Sequence, residues 1–261
     1  MELRKAQESN SVSDEELKKL LYSRGPKRSK LASILPLLEF VTWSLLSEDT
    51  EEAVSMRWLP TKQKAWRTGS GSPRYIPDSV WQWIRSAAVS VQLDVGTSPS
   101  RLSVSSDRLQ VQEALVRSAL ASREPEWPYV LGDVTIAAGR HYWEVEVSPK
   151  GGWRIGVMSE SAPRGRRSPM SPERGYWALW RSSSGLWAGT EEPAKLHRAA
   201  APRLLGVYVD VGEGQVSFYD VERSVHIYTF SDTFGRRLVP VFGHLDRDTV
   251  LRIRPAHTMK M

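Results

Sequence analysis

From about residue 88 onward the apolar residues recur at every second position, and this period constrains the fold more than any other feature of the chain. In Trp143-Glu144-Val145-Glu146-Val147 three apolar side chains share one face and two glutamates the other, as in a half-buried strand. Ile155 and Val157 alternate in the same way. Leu205, Val207 and Val209 run up to Gly212-Glu213-Gly214, after which Val216 and Phe218 return, the pattern of a hairpin with a glycine-assisted turn. Val225, Ile227 and Thr229 begin a further strand, and Leu251 and Ile253 close the series. Short strands separated by turn signals, with almost no helix between them, indicate an antiparallel sandwich or barrel. With 261 residues, 40% of them apolar, the chain can bury the core of one such domain and carry a small appendage.

The first third follows a different period. Ser13-Asp14-Glu15-Glu16 has the spacing of a capping box, Leu17, Leu20 and Leu21 follow at helical intervals, and Gly25-Pro26 ends the element. Ile34, Leu37, Leu38, Val41 and Leu45 mark one face of a second helix, while Leu35, Phe40, Trp43 and Leu46 lie elsewhere around it. A helix this apolar needs cover, from the sandwich or from another chain, so oligomerisation through these helices is an expected use of them. Gly69-Ser70-Gly71-Ser72-Pro73 reads as a linker, and no Gly-Lys-Ser/Thr follows to make it a phosphate loop. Pro77-Asp78 starts a short helix through Trp81, Trp83 and Ile84. The expected organisation is a helical extension and linker over 1–84, a β-sandwich over 85–255 and a tail over 256–261.

Several classes of chemistry are excluded by residue type. The chain has no cysteine, which removes disulfides, thiol nucleophiles and zinc sites of the finger or RING type. His141, His197, His226, His244 and His257 show no paired metal-ligand spacing, and no nucleophile elbow or zincin helix occurs, so neither metal nor cofactor is expected. Glu144 and Glu146 sit on the polar face of a strand, where solvated or salt-bridged residues belong, and are not read as a catalytic pair. The net charge of +6 is spread among mixed signs and specifies no nucleic acid. Of two basic clusters, Arg24-Gly25-Pro26-Lys27-Arg28-Ser29-Lys30 reads as a solvated linker, with nuclear import as the alternative; the other is Arg164-Gly165-Arg166-Arg167. The longest apolar stretch, Leu31 to Leu46, is broken by Pro36 and Glu39 and is too short to span a bilayer. With no leader-like apolar run at the N-terminus, the expected compartment is the cytoplasm.

A set of strings in the β half, in order, resembles the PRY-SPRY domain of butyrophilins and tripartite-motif proteins. Val91-Gln92-Leu93-Asp94-Val95 and Arg101-Leu102-Ser103-Val104-Ser105 look like its opening strands. Trp127-Pro128-Tyr129-Val130-Leu131-Gly132 leads into Gly139-Arg140-His141-Tyr142-Trp143-Glu144-Val145-Glu146-Val147, the most recognisable segment. Trp153-Arg154-Ile155-Gly156-Val157, Gly175-Tyr176-Trp177-Ala178-Leu179-Trp180, Gly206-Val207-Tyr208-Val209-Asp210 and Pro240-Val241-Phe242 continue it. Trp81-Gln82-Trp83 with Arg85 leans toward the butyrophilin branch. The resemblance implies a non-enzymatic sandwich of two antiparallel sheets that binds a partner through variable loops. Ubiquitin ligation in tripartite-motif relatives comes from a separate RING, which this cysteine-free chain cannot build.

Within that frame Tyr142, Trp143, Gly156, Trp177 and Phe218 read as scaffold, assigned to the core by apolar alternation. The binding candidates are Arg154, Tyr176, Trp180, Arg181, Trp187, Phe242 and His244, at strand ends or in loops. Trp180 leads them, because it stands before the polar Arg181-Ser182-Ser183-Ser184-Gly185 turn and carries a large stacking face. The expected partner is a peptide or protein surface met by aromatic anchors and a rim of arginines. The alternative is a phosphorylated small metabolite, which some butyrophilins bind in a basic pocket. Arg154 and the Arg164–Arg167 cluster supply charge for that role, but Pro128 stands where that subgroup has a histidine, Trp187 where it has an arginine, and Lys195 only approximates another.

Overall fold

The computed structural model describes residues 76, 78–114, 128–148, 151–163, 170–196, 201–244 and 249–256. The chain divides into two units, Met1–Ser72 and Pro73–Met261, and every described residue belongs to the second. The expected N-terminal helices, the glycine linker, Trp127 and both basic clusters therefore lie outside the described residues.

The strands, in chain order, are β1 (Leu102–Val104), β2 (Gln110–Glu113), β3 (Tyr129–Leu131), β4 (Arg140–Val147), β5 (Trp153–Ser159), β6 (Tyr176–Ser182) and β7 (Gly185–Ala188). They continue with β8 (Ala194–Lys195), β9 (Leu204–Asp210), β10 (Gln215–Asp220), β11 (Val225–Ser231), β12 (Leu238–His244) and β13 (Val250–Ile253). One sheet has the order β1-β2-β13-β4-β9-β10-β11 and the other β3-β12-β5-β6-β7-β8, with every ladder antiparallel. The fold class is thus mainly β, a two-sheet sandwich, as the alternation implies.

Period 2 decides what fills the space between the sheets. Trp143, Val145 and Val147 of β4 and Leu205, Val207 and Val209 of β9 point inward from the first sheet. Ile155 and Val157 of β5, Trp177 and Leu179 of β6 and Phe242 of β12 meet them from the second. Each such side chain contributes roughly 1.5–3 kcal/mol by leaving water. β5 and β6 can lie flush because residue 156 is glycine. A Cβ there would collide with the Trp177 carbonyl oxygen and the Cα of Ala178. The β9–β10 hairpin turns through Gly214, whose φ of 60° suits glycine.

The same alternation refines one sequence expectation. Tyr142 neighbours Trp143 on a strand, so the two cannot share a face, and Tyr142 is buried on the outer side of the seven-stranded sheet. What covers it is the helix α1 (Asp78–Ser86), whose Val80, Trp81 and Ile84 are buried. Trp81 meets Tyr142 and Tyr219 edge-on at 6.0 and 5.4 Å, and Trp83 lies against Tyr208 at 5.9 Å. The guanidinium groups of Arg85 and Arg140 stand over Trp81 and Trp83 at 5.2 and 4.2 Å. Beneath the helix Glu144 is only 1% exposed. It accepts from the Tyr142 hydroxyl at 2.8 Å and from Arg85 at 3.1 Å, with Arg254 at 3.9 Å. That buried, paired carboxylate is structural. The expected boundary between residues 84 and 85 falls inside α1, whose buried face is part of the sandwich.

Candidate functional site

The outer face of the six-stranded sheet is closed at one end and half open at the other. Leu131, Met158, Ala162, Met170, Tyr176, Val239 and Val241 form a small second core over the closed end. At the other end the register lines up residues from all six strands. Tyr129 is opposite Gly243, Gly243 opposite Arg154, and Arg154 opposite Trp180. Trp180 is in turn opposite Trp187, and Trp187 opposite Lys195. Their neighbours along the strands, Leu179, Leu186 and Ala188, lie in the main core, so this row faces outward.

The row is a stack of alternating character. The Arg154 guanidinium lies 4.9 Å from the Trp180 ring centre. The Trp180 and Trp187 rings are near parallel, 11° apart, with centroids at 6.4 Å. The Lys195 ammonium caps the far side of Trp187 at 5.4 Å. Two cations thus bracket two indoles, and each indole face is already attractive to positive charge. The Trp187 indole donates to the Ser184 hydroxyl at 3.2 Å, which fixes its plane. Both indoles remain partly exposed and Lys195 is exposed. Arg154 is not: it is 7% exposed and sends Nη1 to the Met170 sulfur at 2.7 Å. Burial pulls its pKa down from the ordinary arginine range to about 10. At the head of the row the Tyr129 phenol oxygen is enclosed and has no hydrogen-bond partner among the described residues.

The SPRY domain family matches residues 140–254. Human butyrophilin subfamily 1 member A1 is 35% identical over 207 residues, which cover 78% of this chain and 37% of the relative. Mouse E3 ubiquitin-protein ligase TRIM21 is 35% identical over 165 residues, covering 61% of this chain and 35% of the relative. The crystal structure of the TRIM65 PSpry domain matches with a TM-score of 0.57 at 24% identity, over 70% of this chain and 99% of that one. The sandwich is a PRY-SPRY domain of the butyrophilin and tripartite-motif type. Such domains are protein-interaction modules in both groups. The chain spans little more than a third of the curated relatives named here.

The seven residues nominated from the sequence of this PRY-SPRY domain do not all reach the row. Arg154, Trp180 and Trp187 come together in the outward row. Arg181, one residue on from Trp180, points to the other face and donates to the Gly151 carbonyl at 2.7 Å, which ties the start of β5 in place. Tyr176 and Phe242 are not brought to the row. Tyr176 is buried at the closed end and donates to the Pro163 carbonyl at 2.8 Å. Phe242 is 0% exposed, inside the main core, because on β12 it alternates with outward Val241 and Gly243. The backbone of His244 pairs with Trp153 at the same end of the sheet as the row. Sequence reasoning did not nominate Tyr129, and weighed Lys195 only for the phosphate alternative. Both enter through cross-strand register, which a single sequence does not display. Trp180 and Trp187 are also within strands, so the candidate surface is a sheet face and not loops alone.

Proposed function

We propose that this PRY-SPRY domain binds a peptide or protein surface on the open end of its six-stranded sheet, with Trp180 and Trp187 as anchors. The observation that supports this reading is the row itself: two stacked, half-exposed indoles whose orientation is already fixed by Arg154, Lys195 and Ser184. A partner side chain that covers them gains contact area without ordering flexible groups. The domain would act by recognition, with no catalysis of its own, in the cytoplasm, and the N-terminal helices expected within 1–84 would supply any oligomerisation.

The test is affinity capture with the full chain and with Trp180→Ala, followed by titration of each purified partner against both. A partner whose affinity falls roughly thirtyfold or more in the variant supports the reading. Partners that bind both proteins equally would move the recognition surface elsewhere. The second reading, a phosphorylated metabolite held by Arg154, draws on the buried positive charge at the row. Against it stand the Met170 sulfur already on the guanidinium, and Pro128 and Trp187 where basic or histidine side chains would serve a phosphate. Calorimetry with inorganic pyrophosphate and a panel of phosphometabolites distinguishes the two, since heat that vanishes in Arg154→Ala would favour the metabolite.

A further inference from the structure

Ser182, Ser183 and Ser184 turn the chain between β6 and β7, beside the Trp187 end of the indole row. Ser182 is the last residue of β6 to pair, opposite Gly185, so Ser183 and Ser184 form the tip, and both are exposed. The three hydroxyls are not equivalent. That of Ser182 lies within the turn and accepts from the Ser184 amide at 3.3 Å. Ser184 Oγ is 2.7 Å from Ser182 Oγ and accepts from the Trp187 indole at 3.2 Å, so a change at this atom reaches the row directly.

Two further features single out Ser184. It stands three residues after Arg181, and the spacing Arg-x-x-Ser, which basophilic protein kinases read, ends elsewhere in the chain only at Ser70. A cation also stands beside it. The Lys195 stem crosses Gly185, where a Cβ would meet its Cε at 3.3 Å. The ammonium is exposed and makes no ion pair or hydrogen bond among the described residues, although Glu191 and Glu192 lie on the loop before it. On its outer side β7 is held only by β8, a strand of two residues, so the tip lies at a weak edge that can open locally.

We propose that Ser184 is a phosphorylation site for a basophilic serine kinase, and that Lys195 receives the phosphate, which reverses the charge at this end of the indole row. Ser184 Oγ attacks the γ-phosphorus of ATP. The new O–P bond forms as the bond to the bridging oxygen of ADP breaks, and the hydroxyl proton passes to the kinase's base. The phosphoserine carries roughly −1.5 to −2 charges at pH 7, against the single positive charge of Lys195. Its oxygens are stronger acceptors for the ammonium and for the Trp187 N–H than the hydroxyl was. A row with a cation at each end then has one cation, Arg154, and one anion. The effect on a partner rests on the row being the docking surface proposed above; the phosphate and its contact with Lys195 do not.

The full chain carrying Ser70→Ala is incubated with calcium/calmodulin-dependent protein kinase II, its activators and magnesium ATP, and the product is mapped by fragmentation mass spectrometry. The expected result is a phosphate on Ser184, absent in Ser184→Ala. Phosphorus NMR across pH should then place the second ionisation of that phosphate below about 6, and Lys195→Ala should bring it back up. A chain left without phosphate on Ser184, or phosphorylated on Ser183 in its place, would overturn the proposal. So would an ionisation that Lys195→Ala leaves unmoved. Neither readout involves a partner, so a failure of the row as a docking surface would show only in the affinity capture.

Discussion

The two outer faces of the sandwich use the same pair of residue types to different ends. On the seven-stranded sheet Arg85 stacks on Trp81, and the helix that carries both presses this indole against Tyr142 and Tyr219 until it is buried. On the six-stranded sheet Arg154 stacks on Trp180 and Lys195 on Trp187, and the indoles stay partly in water. A tryptophan–cation stack is therefore no signature of function by itself. What separates scaffold from recognition is whether the protein supplies the last layer. Where it does, aromatic area serves stability; where it does not, the same area is left for a partner.

Matched substitutions test that contrast. The largest effect is expected for Trp81→Ala, which removes a side chain only 7% exposed and packed on two tyrosines. A loss of about 3–5 kcal/mol in denaturant unfolding is expected. Trp180→Ala, its counterpart on the open face, should cost only about 1 kcal/mol in the same measurement. If the two losses are equal, the contrast between closed and open stacks fails. Arg154→Met should raise stability by about 1 kcal/mol, since it fills the same space without a desolvated charge. The sign follows from linkage: the folded-state pKa near 10 lies below the ordinary arginine range, so the unfolded chain binds the proton more tightly. The cost of Arg154 is then constant below about pH 10 and fades only above it, so thermal melts at about pH 6 and 9 should show the same gain. A destabilised Arg154→Met would mean that the guanidinium holds the sheet end together. The smallest effect is expected for Lys195→Ala, about 0.5 kcal/mol or less in stability, because the ammonium is exposed. It should show instead as a salt-sensitive change in partner association rate.

The sandwich was legible because period 2 is a property of neighbours in sequence. Trp143, Val145 and Val147, or Leu205, Val207 and Val209, announce their shared face without reference to any other strand. The hairpin at Gly212-Glu213-Gly214 was equally local. The candidate site was legible only in part. Trp180 and Trp187 could be nominated as large rings near a polar turn, but their stacking needs the register of β6 on β7, set by the turn between them. Phe242 shows the converse limit. Its place near the end of β12 marked it for the surface, yet its parity with Val241 and Gly243 sends it into the core. Tyr142 reads as buried scaffold and is buried, but alternation does not reveal that a helix will cover the outer face on which it lies. Glu144 was read as solvated or salt-bridged on the same pattern. It is paired, and the helix that buries it was visible while its docking place was not.

Glu144 carries a further consequence for how the domain sits in a polypeptide. Arg85, from where the chain enters the sandwich, and Arg254, from where it leaves, converge on this one carboxylate. Entry and exit are therefore neighbours, both fastened to β4: the end of α1 by the Arg85 side chain and by backbone bonds of Ala87 and Val89 with Tyr142, β13 by a ladder through Leu251, Arg252 and Ile253. A pull applied along the chain would first load the Ile76–Ser224 backbone bond at one end and the β13 ladder at the other. α1, held by packing and a few polar contacts, would detach before β13. The domain would then yield mechanically at its helix, baring the Tyr142 and Tyr219 rings, while the indole row on the far sheet remained intact.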